Sequence, residues 1–373
     1  MHITQILPTL NQGGVERGTV ELNRHLAARG HRSTVISAGG RLVEQIRQEG
    51  GEHVTVDVAS KNVLSAPWRA CKLRRALSRL GPDVIHARSR VPAWLCRFAN
   101  RRLAIPFVTT VHGFNSVNTY SAVMTKGDLV ICASQAIRDY VLEHYGMDAA
   151  RIRMVPRGID LDYFSPAPVD AEFVRRFRRQ HGLEGRFVIT ILGRITPWKG
   201  HDTFLEGFAQ AARDSDDLTA VVVGEQETGK DDYLAALKDL CLRRGIADRV
   251  TWAGAVANVR EIYALSDLVV SAASFKPETF GRVAAEALAM DTPVVASAQG
   301  GTLDIVNDGE NGLLFPPQDA AALADCLGRA RHATFTNMRE HIAANFSLDL
   351  MVNKTLAVYR ECCDGASRRI ANE

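Results

Sequence analysis

Two glutamates eight positions apart, Glu278 and Glu286, stand in the run Ser274-Phe-Lys-Pro-Glu-Thr-Phe-Gly-Arg-Val-Ala-Ala-Glu286. If both were helical, about 12 Å of rise and roughly 80° of rotation would separate them. That is too far for two carboxylates to share one proton, yet suited to holding two parts of one elongated ligand. Gly281 opens the helical pattern between them, and a helix start offers unpaired amides to an anion. On spacing alone the plain alternative stays open: an acidic loop residue followed by a solvated helical glutamate.

Other residues of chemical interest also follow apolar runs. Gly193-Arg-Ile-Thr-Pro-Trp-Lys199-Gly200 comes directly after Phe187–Leu192. It places two cations, Arg194 and Lys199, where a diphosphate would need neutralising, although a pair of surface cations would read the same. Asn11-Gln-Gly-Gly-Val-Glu16 follows the first apolar run. Gly13 and Gly14 let the backbone pass close to a phosphate or sugar. The spacing is not a dinucleotide fingerprint, and a plain turn remains the alternative. His112 ends the run Phe107–Val111, and His86 lies in Asp83-Val-Ile-His-Ala-Arg88. A lone histidine near a strand end is more often structural than catalytic.

The elements that must position these residues alternate. Strands are expected at 2–7, 32–37, 54–58, 84–86, 107–111, 129–132 and 152–155, with helical segments between most of them. A turn-rich connection around 156–168 precedes a restart, with strands at 187–192, 218–223, 250–252, 268–270 and 293–296. Strands alternating with helices predict parallel, doubly wound sheets, with ligands at their carboxyl edges. A last helix is expected from about 347 to 363, with the final ten residues frayed.

Glu278, Glu286 and the following Ala-Leu-Ala-Met-Asp-Thr-Pro-Val-Val-Ala resemble the signature of retaining glycosyltransferases of family four, which have the GT-B fold. So do Gly193-Arg-x4-Lys199-Gly200, the Gly13-Gly14-x-Glu16 loop, Gly300-Gly301 and Asp308-Gly-Glu-Asn-Gly-Leu-Leu-Phe315. The resemblance covers nearly the whole chain. It departs at Asp291, where the family usually has glycine, and at Asp304, where it usually has glutamate.

The fold this implies is α/β: two Rossmann-like, doubly wound parallel-sheet domains facing across a cleft. The N-terminal acceptor-binding domain would comprise 1–165, with the C-terminal helix crossing back onto it. The nucleotide-sugar-binding domain would comprise 166–346. The resemblance implies that Glu278 holds the donor sugar's hydroxyls and Glu286 the nucleotide ribose. Gly193, Arg194, Lys199 and the stretch Thr279, Phe280 and Gly281 would meet the diphosphate, with Gly13 and Gly14 nearby. His112 would contact the sugar near the reacting carbon, and Glu16 and His86 the acceptor. His112, Arg194, Lys199 and Glu278 form the expected catalytic set.

Two Asp-x-Asp triplets, Asp160/Asp162 and Asp214/Asp216, have the metal-binding form of the GT-A group. Both are read as turn or surface acids. Arg194, Lys199 and helix amides would offset the leaving diphosphate, so neither a metal nor a cofactor is expected. No carboxylate stands out for a covalent intermediate. Same-face attack, with the departing phosphate taking the acceptor's proton, is the expected route to retention.

At 373 residues, 46% hydrophobic and 23% charged, the chain suits two soluble domains. Seven scattered cysteines form no metal-ligand spacing and suit a reduced, cytoplasmic setting. Met1-His-Ile-Thr-Gln-Ile-Leu lacks the basic region of a signal peptide, and no apolar run spans a bilayer. The net charge of +3 hides an asymmetry: between Val58 and Gly127 the sole acid is Asp83, among twelve lysines and arginines. Leu73, Leu77 and Leu80 give this block a helical apolar face. No aromatics interleaved with the cations and no nucleic-acid module are recognised. The expected partner is an anionic membrane surface, attracting about 1 kcal/mol per basic residue. A lipid-linked glycan, such as a lipopolysaccharide core or other cell-surface polysaccharide, is the expected acceptor, and a UDP-sugar the donor. A GT-B nucleotide-sugar epimerase and an inactive nucleotide-sugar-binding module are the alternatives.

Overall fold

The computed structural model describes residues 1–11, 13–226 and 231–371. The chain forms two compact units, Met1–Gly158 with Asp349–Glu373, and Ile159–Leu348. Strands of the first are β1 (His2–Ile6), β2 (Arg32–Ser37), β3 (Glu52–Thr55), β4 (Val84–Ala87), β5 (Phe107–Val111), β6 (Leu129–Cys132) and β7 (Ile152–Met154). They lie in the order β3-β2-β1-β4-β5-β6-β7. The second unit holds β8 (Phe187–Leu192), β9 (Leu218–Val223), β10 (Val250–Gly254), β11 (Leu268–Ser271), β12 (Val294–Ser297) and β13 (Gly312–Phe315). Their order is β10-β9-β8-β11-β12-β13. Neighbouring strands pair in parallel throughout.

Parallel strands are covered on both faces, which is why these read as continuous apolar runs. In the second unit Val188, Val221, Val269 and Val294 face one buried cluster, while Ile189, Ala220, Leu268 and Val295 face another. In the first unit Ile6, Ile85, Val130 and Cys132 pack against the helices Ala66–Leu80 and Arg90–Ala99. Each sheet therefore reverses its winding once, between β1 and β4 and between β8 and β11. Ligands bind at such switch points in open α/β sheets.

Several strand ends differ from the sequence expectation by a residue or two, and four larger differences stand out. The first unit ends at Gly158, not at 165, because Ile159 pairs its backbone with Phe346 and Leu348, and Ile159 and Phe164 enter the second unit's core. β3 precedes Val56 and Val58, which are buried outside the strand. β13 is an additional strand whose four residues begin at a glycine, leaving little periodicity to read. The last helix spans Leu348–Ala371, well beyond 363. Its return to the first unit is as expected: Tyr359 is fully buried there and hydrogen-bonds His86 at 2.7 Å. The helix covers most of the ten residues expected to fray. The side chains from 367 and the residues 372–373 lie outside the described residues.

Candidate active site

Four loops and helix starts of the second unit assemble at the carboxyl edge of β8, β11 and β12. Gly193–Gly200 leaves β8 and is tied to the end of β11, where Ser274 N donates to Trp198 O at 2.9 Å and Ser274 Oγ to Pro197 O at 3.1 Å. Gly200 has φ 70°, and a Cβ there would stand 1.8 Å from the Ala272 carbonyl oxygen. Both conformation and contact require glycine. Gly300, after β12, has φ 63°, and its Cβ would stand 2.2 Å from Glu278 O. Gly301 N donates to that same carbonyl at 2.8 Å. The backbone carrying Glu278 is thus clamped against the Gly300-Gly301 turn.

That clamp brings Lys199 and Glu278 together. Lys199 Nζ donates to Glu278 Oε1, with both side chains mostly buried. The ammonium also lies 4.5 Å from the Trp198 ring centroid and 3.8 Å from where a Cβ on Gly193 would be. Arg194 is exposed and makes no ion pair among the described residues. Gly281 is left-handed at the start of the helix Arg282–Ala289. The preceding Phe280 ring is buried against Phe346, so only its backbone can serve a ligand.

Glu286 is not the solvated helical residue that its spacing allowed. It is 8% exposed, accepting from Tyr263 Oη at 2.8 Å and from Arg282 Nε at 2.5 Å. Burial, then the Glu286 charge, pushes the Tyr263 phenol well above its ordinary range, so it remains a donor. Asp291 sits at φ 55° in the turn from this helix to β12, where aspartate replaces the expected glycine. Asp304 lies on the short helix Thr302–Ile305.

The first unit places its residues at its own switch point, after β1, β4 and β5. Gly13 and Gly14 open the helix Gly14–Ala28, and Gly14 O accepts from Arg157 Nη1 at 2.7 Å. Glu16 folds back over Gly13, where a Cβ would stand 2.5 Å from its Oε2. Gln12 lies outside the described residues. Arg157 Nη2 donates to His112 Nδ1 at 3.2 Å, which leaves the ring proton of a neutral His112 on Nε2. Burial, then Arg157 and Arg88, holds His112 well below its ordinary range. At neutral pH this ring is uncharged.

His86 corrects an expectation. It is 2% exposed, with Nδ1 paired to Tyr359 Oη and Nε2 to Thr110 Oγ1, both at 2.7 Å. Both ring nitrogens are used inside the fold, so the acceptor contact expected at His86 gives way to anchoring the last helix. Asp160 Oδ1 accepts from Asp162 N and Tyr163 N, the turn role expected of that triplet. The Asp214 side chain lies outside the described residues. Among those residues, no three His, Cys, Asp or Glu side chains gather as metal ligands.

Residues 12–163 match the family described as Glycosyltransferase Family 4, and residues 173–346 match Glycosyl transferases group 1. A D-inositol 3-phosphate glycosyltransferase of Geodermatophilus obscurus is 30% identical over 93% of this chain and 84% of its own length. The chain is a family 4 glycosyltransferase. This glycosyltransferase is also 30% identical to the D-inositol 3-phosphate glycosyltransferase of Salinispora tropica, over 75% of its own chain and 64% of that relative, a little under two-thirds. A glycosyltransferase of Rickettsia africae superposes with a TM-score of 0.88 at 29% identity, covering 97% of this chain and 98% of that one. Anabaena HepE in complex with UDP and glucose gives a TM-score of 0.80 at 23% identity, over 96% and 98% of the two chains, a likeness of fold. The two parallel-sheet domains are those of GT-B.

Proposed function

We propose that this glycosyltransferase moves a hexosyl group from a UDP-sugar to a glycan or lipid-linked acceptor, with retention and without a metal. The observation that carries the donor half is the contact of Lys199 with Glu278 at the carboxyl edge of β8 and β11. One residue of that pair suits a diphosphate and the other suits sugar hydroxyls. Arg194 and the amides beginning near Gly281 add positive charge where the leaving diphosphate develops negative charge. Glu286, held by Tyr263 and Arg282, is the ribose anchor. The complex of Anabaena HepE with UDP and glucose supports the choice of donor. Attack on the face that the diphosphate leaves, with the phosphate taking the acceptor's proton, needs no protein nucleophile.

A thermal-shift panel of UDP-, GDP-, ADP- and TDP-sugars tests the donor, since ligand at 100 times its dissociation constant adds about 2.7 kcal/mol. UDP-sugars should stabilise most, and no response to any of them would sink the reading. Anomeric analysis of the product should show retention, with transfer unchanged by EDTA. Turnover of donor in the absence of any acceptor, to an epimerised sugar, would favour an epimerase instead.

For the partner we propose an anionic bilayer. No helix among the described residues is long and apolar enough to cross a membrane. The first unit instead presents an apolar tip, Val63 and Leu64, 81% and 93% exposed, beside exposed Trp68. Buried Arg69 holds that tip in place, donating to Asn62 O at 2.7 Å and Ser65 Oγ at 3.0 Å. Lys72 Nζ lies 3.6 Å over the Trp68 ring, and Arg101 lies 5.1 Å from the exposed Phe98. Aromatics therefore do interleave with the basic block, contrary to the sequence reading, and this pairing suits a headgroup boundary. The wild type should float with phosphatidylglycerol vesicles at low salt and Leu64→Glu/Trp68→Glu should not. Equal flotation of the two would refute the surface.

A further inference from the structure

Arg157 has no part in the donor reading, yet its side chain joins two loops of the first unit. The residue follows β7, in the connection that leaves this unit after Gly158. Nη1 donates to Gly14 O at 2.7 Å, and Nη2 to His112 Nδ1 at 3.2 Å. Gly14 begins the helix that follows β1, and His112 directly follows β5. Those two strands flank β4 in the sheet. The donors of a planar guanidinium are fixed relative to one another, so one fork sets the spacing of both loops.

That contact decides more than position. A guanidinium can only donate, so Nδ1 must present its lone pair to Arg157. Burial disfavours a charged ring but does not choose between the two neutral tautomers; the partner at Nδ1 does. A proton on Nδ1 would set two donors against each other and place imidazolium beside guanidinium. Other charged groups face the ring from several elements. Glu16, Arg88 and Arg90 line an open cavity of about 230 Å³ together with His112. Glu21, Arg88 and Arg157 line with it a second cavity of about 30 Å³. His112 thus borders both cavities, and Arg157 only the smaller. His86 also borders the smaller one, where burial holds it well below its ordinary range, so it adds no charge. Burial likewise keeps its partner Tyr359, on the last helix, a neutral phenol.

We propose that Arg157 is a positioning residue for glycosyl transfer: it fixes His112 in one tautomer and keeps a positive charge off that ring, while holding the Gly13-Gly14 loop in place. The proposal rests on the glycosyltransferase reading above and on the place of His112 in the expected catalytic set. When the bond from the anomeric carbon to the diphosphate oxygen breaks, its electron pair leaves with the diphosphate and the sugar turns positive. A neutral imidazole near that carbon does not oppose the developing charge. An imidazolium would repel it. Arg157 acts through His112 and needs no contact with the sugar.

Nitrogen NMR of the full chain with labelled histidine, assigned through His112→Gln, tests the tautomer without any substrate. His112 should carry its proton on Nε2 at pH 7 and should not titrate between pH 8 and pH 5. A proton on Nδ1, or a midpoint near the ordinary value of about 6.5, would overturn the proposal. Transfer rates test the consequence. Arg157→Gln should lower kcat by about tenfold at pH 8, with a smaller change in KM, and by about a further tenfold at pH 5.5, where the released ring takes a proton. Arg157→Lys, which keeps the charge but not the fork, should lower kcat and retain the wild-type pH profile. In a His112→Gln background, Arg157→Gln should cost little more and add no acid limb. A loss equal at every pH, or equal in both backgrounds, would make Arg157 merely structural and overturn the proposal. Failure of the wild type to bind UDP would instead count against the donor reading and leave the NMR result as it stands.

Discussion

Lys199 and Glu278 spend their charge on each other in the empty protein, and each is expected to turn to a different part of the donor. Their substitutions should therefore not add. Lys199→Ala and Glu278→Ala should each lower the transfer rate by about 100-fold or more. The double variant should lose much less than the product of the two, since either change alone strands the other partner. Rates measured at saturating donor, with circular dichroism confirming the fold, give the coupling; strict additivity would show that the contact is incidental. A second residue-scale outcome concerns His201, fully buried at the start of the helix that follows Gly200. Burial, then Lys199, holds it at about 4. The unfolded imidazole titrates near 6.5, so on acidification the unfolded chain binds the proton first. Stability should fall from about pH 6.5 down to about 4, by about 1.4 kcal/mol per unit for this ring. Calorimetry at pH 7 and pH 5 should show a shallower loss for His201→Gln. Arg88 marks the limit of reading at this scale. It is one of twelve lysines and arginines between Val58 and Gly127, and only burial sets it, like Arg69, apart from the solvated ones.

At the scale of elements, the donor-side loops were legible because each glycine there answers a specific contact. Gly200 faces the Ala272 carbonyl and Gly300 faces Glu278, so the residue types record the packing of neighbouring loops. β3 and β13 were legible only roughly, since four-residue strands carry too few positions to show a period. The environment of Glu286 was legible only in part: Arg282 precedes it by one helical turn, whereas Tyr263 comes from 23 residues away in sequence, on a separate helix. Asp291 is an element-scale test. Its φ of 55° is strained for any residue with a Cβ, though least for aspartate and asparagine. Asp291→Gly should therefore stabilise the protein by about 0.5–1 kcal/mol, seen as a higher urea midpoint at unchanged slope. A lower midpoint would mean that the aspartate's own contacts near Arg339 outweigh the strain.

At the scale of the whole molecule, the two units differ in how the chain supplies them. Ile159–Leu348 is continuous and has two buried clusters of its own. Expressed alone, a fragment of residues 159–348 should unfold cooperatively and keep UDP affinity. A fragment of residues 1–158 lacks Val352, Leu356 and Tyr359, all buried in the complete protein, and should not give a cooperative transition. Thermal melts of the two fragments decide this; a sharp transition in residues 1–158 would contradict it. The returning helix thereby sets a timetable. On the ribosome the later-made unit can finish first, while the earlier one waits, its apolar strands already outside the exit tunnel, for a segment synthesised some two hundred residues after its own last strand. Chaperone demand should accordingly fall on the first half of the chain, and premature termination between Leu348 and Tyr359 should cost the first unit while sparing the second.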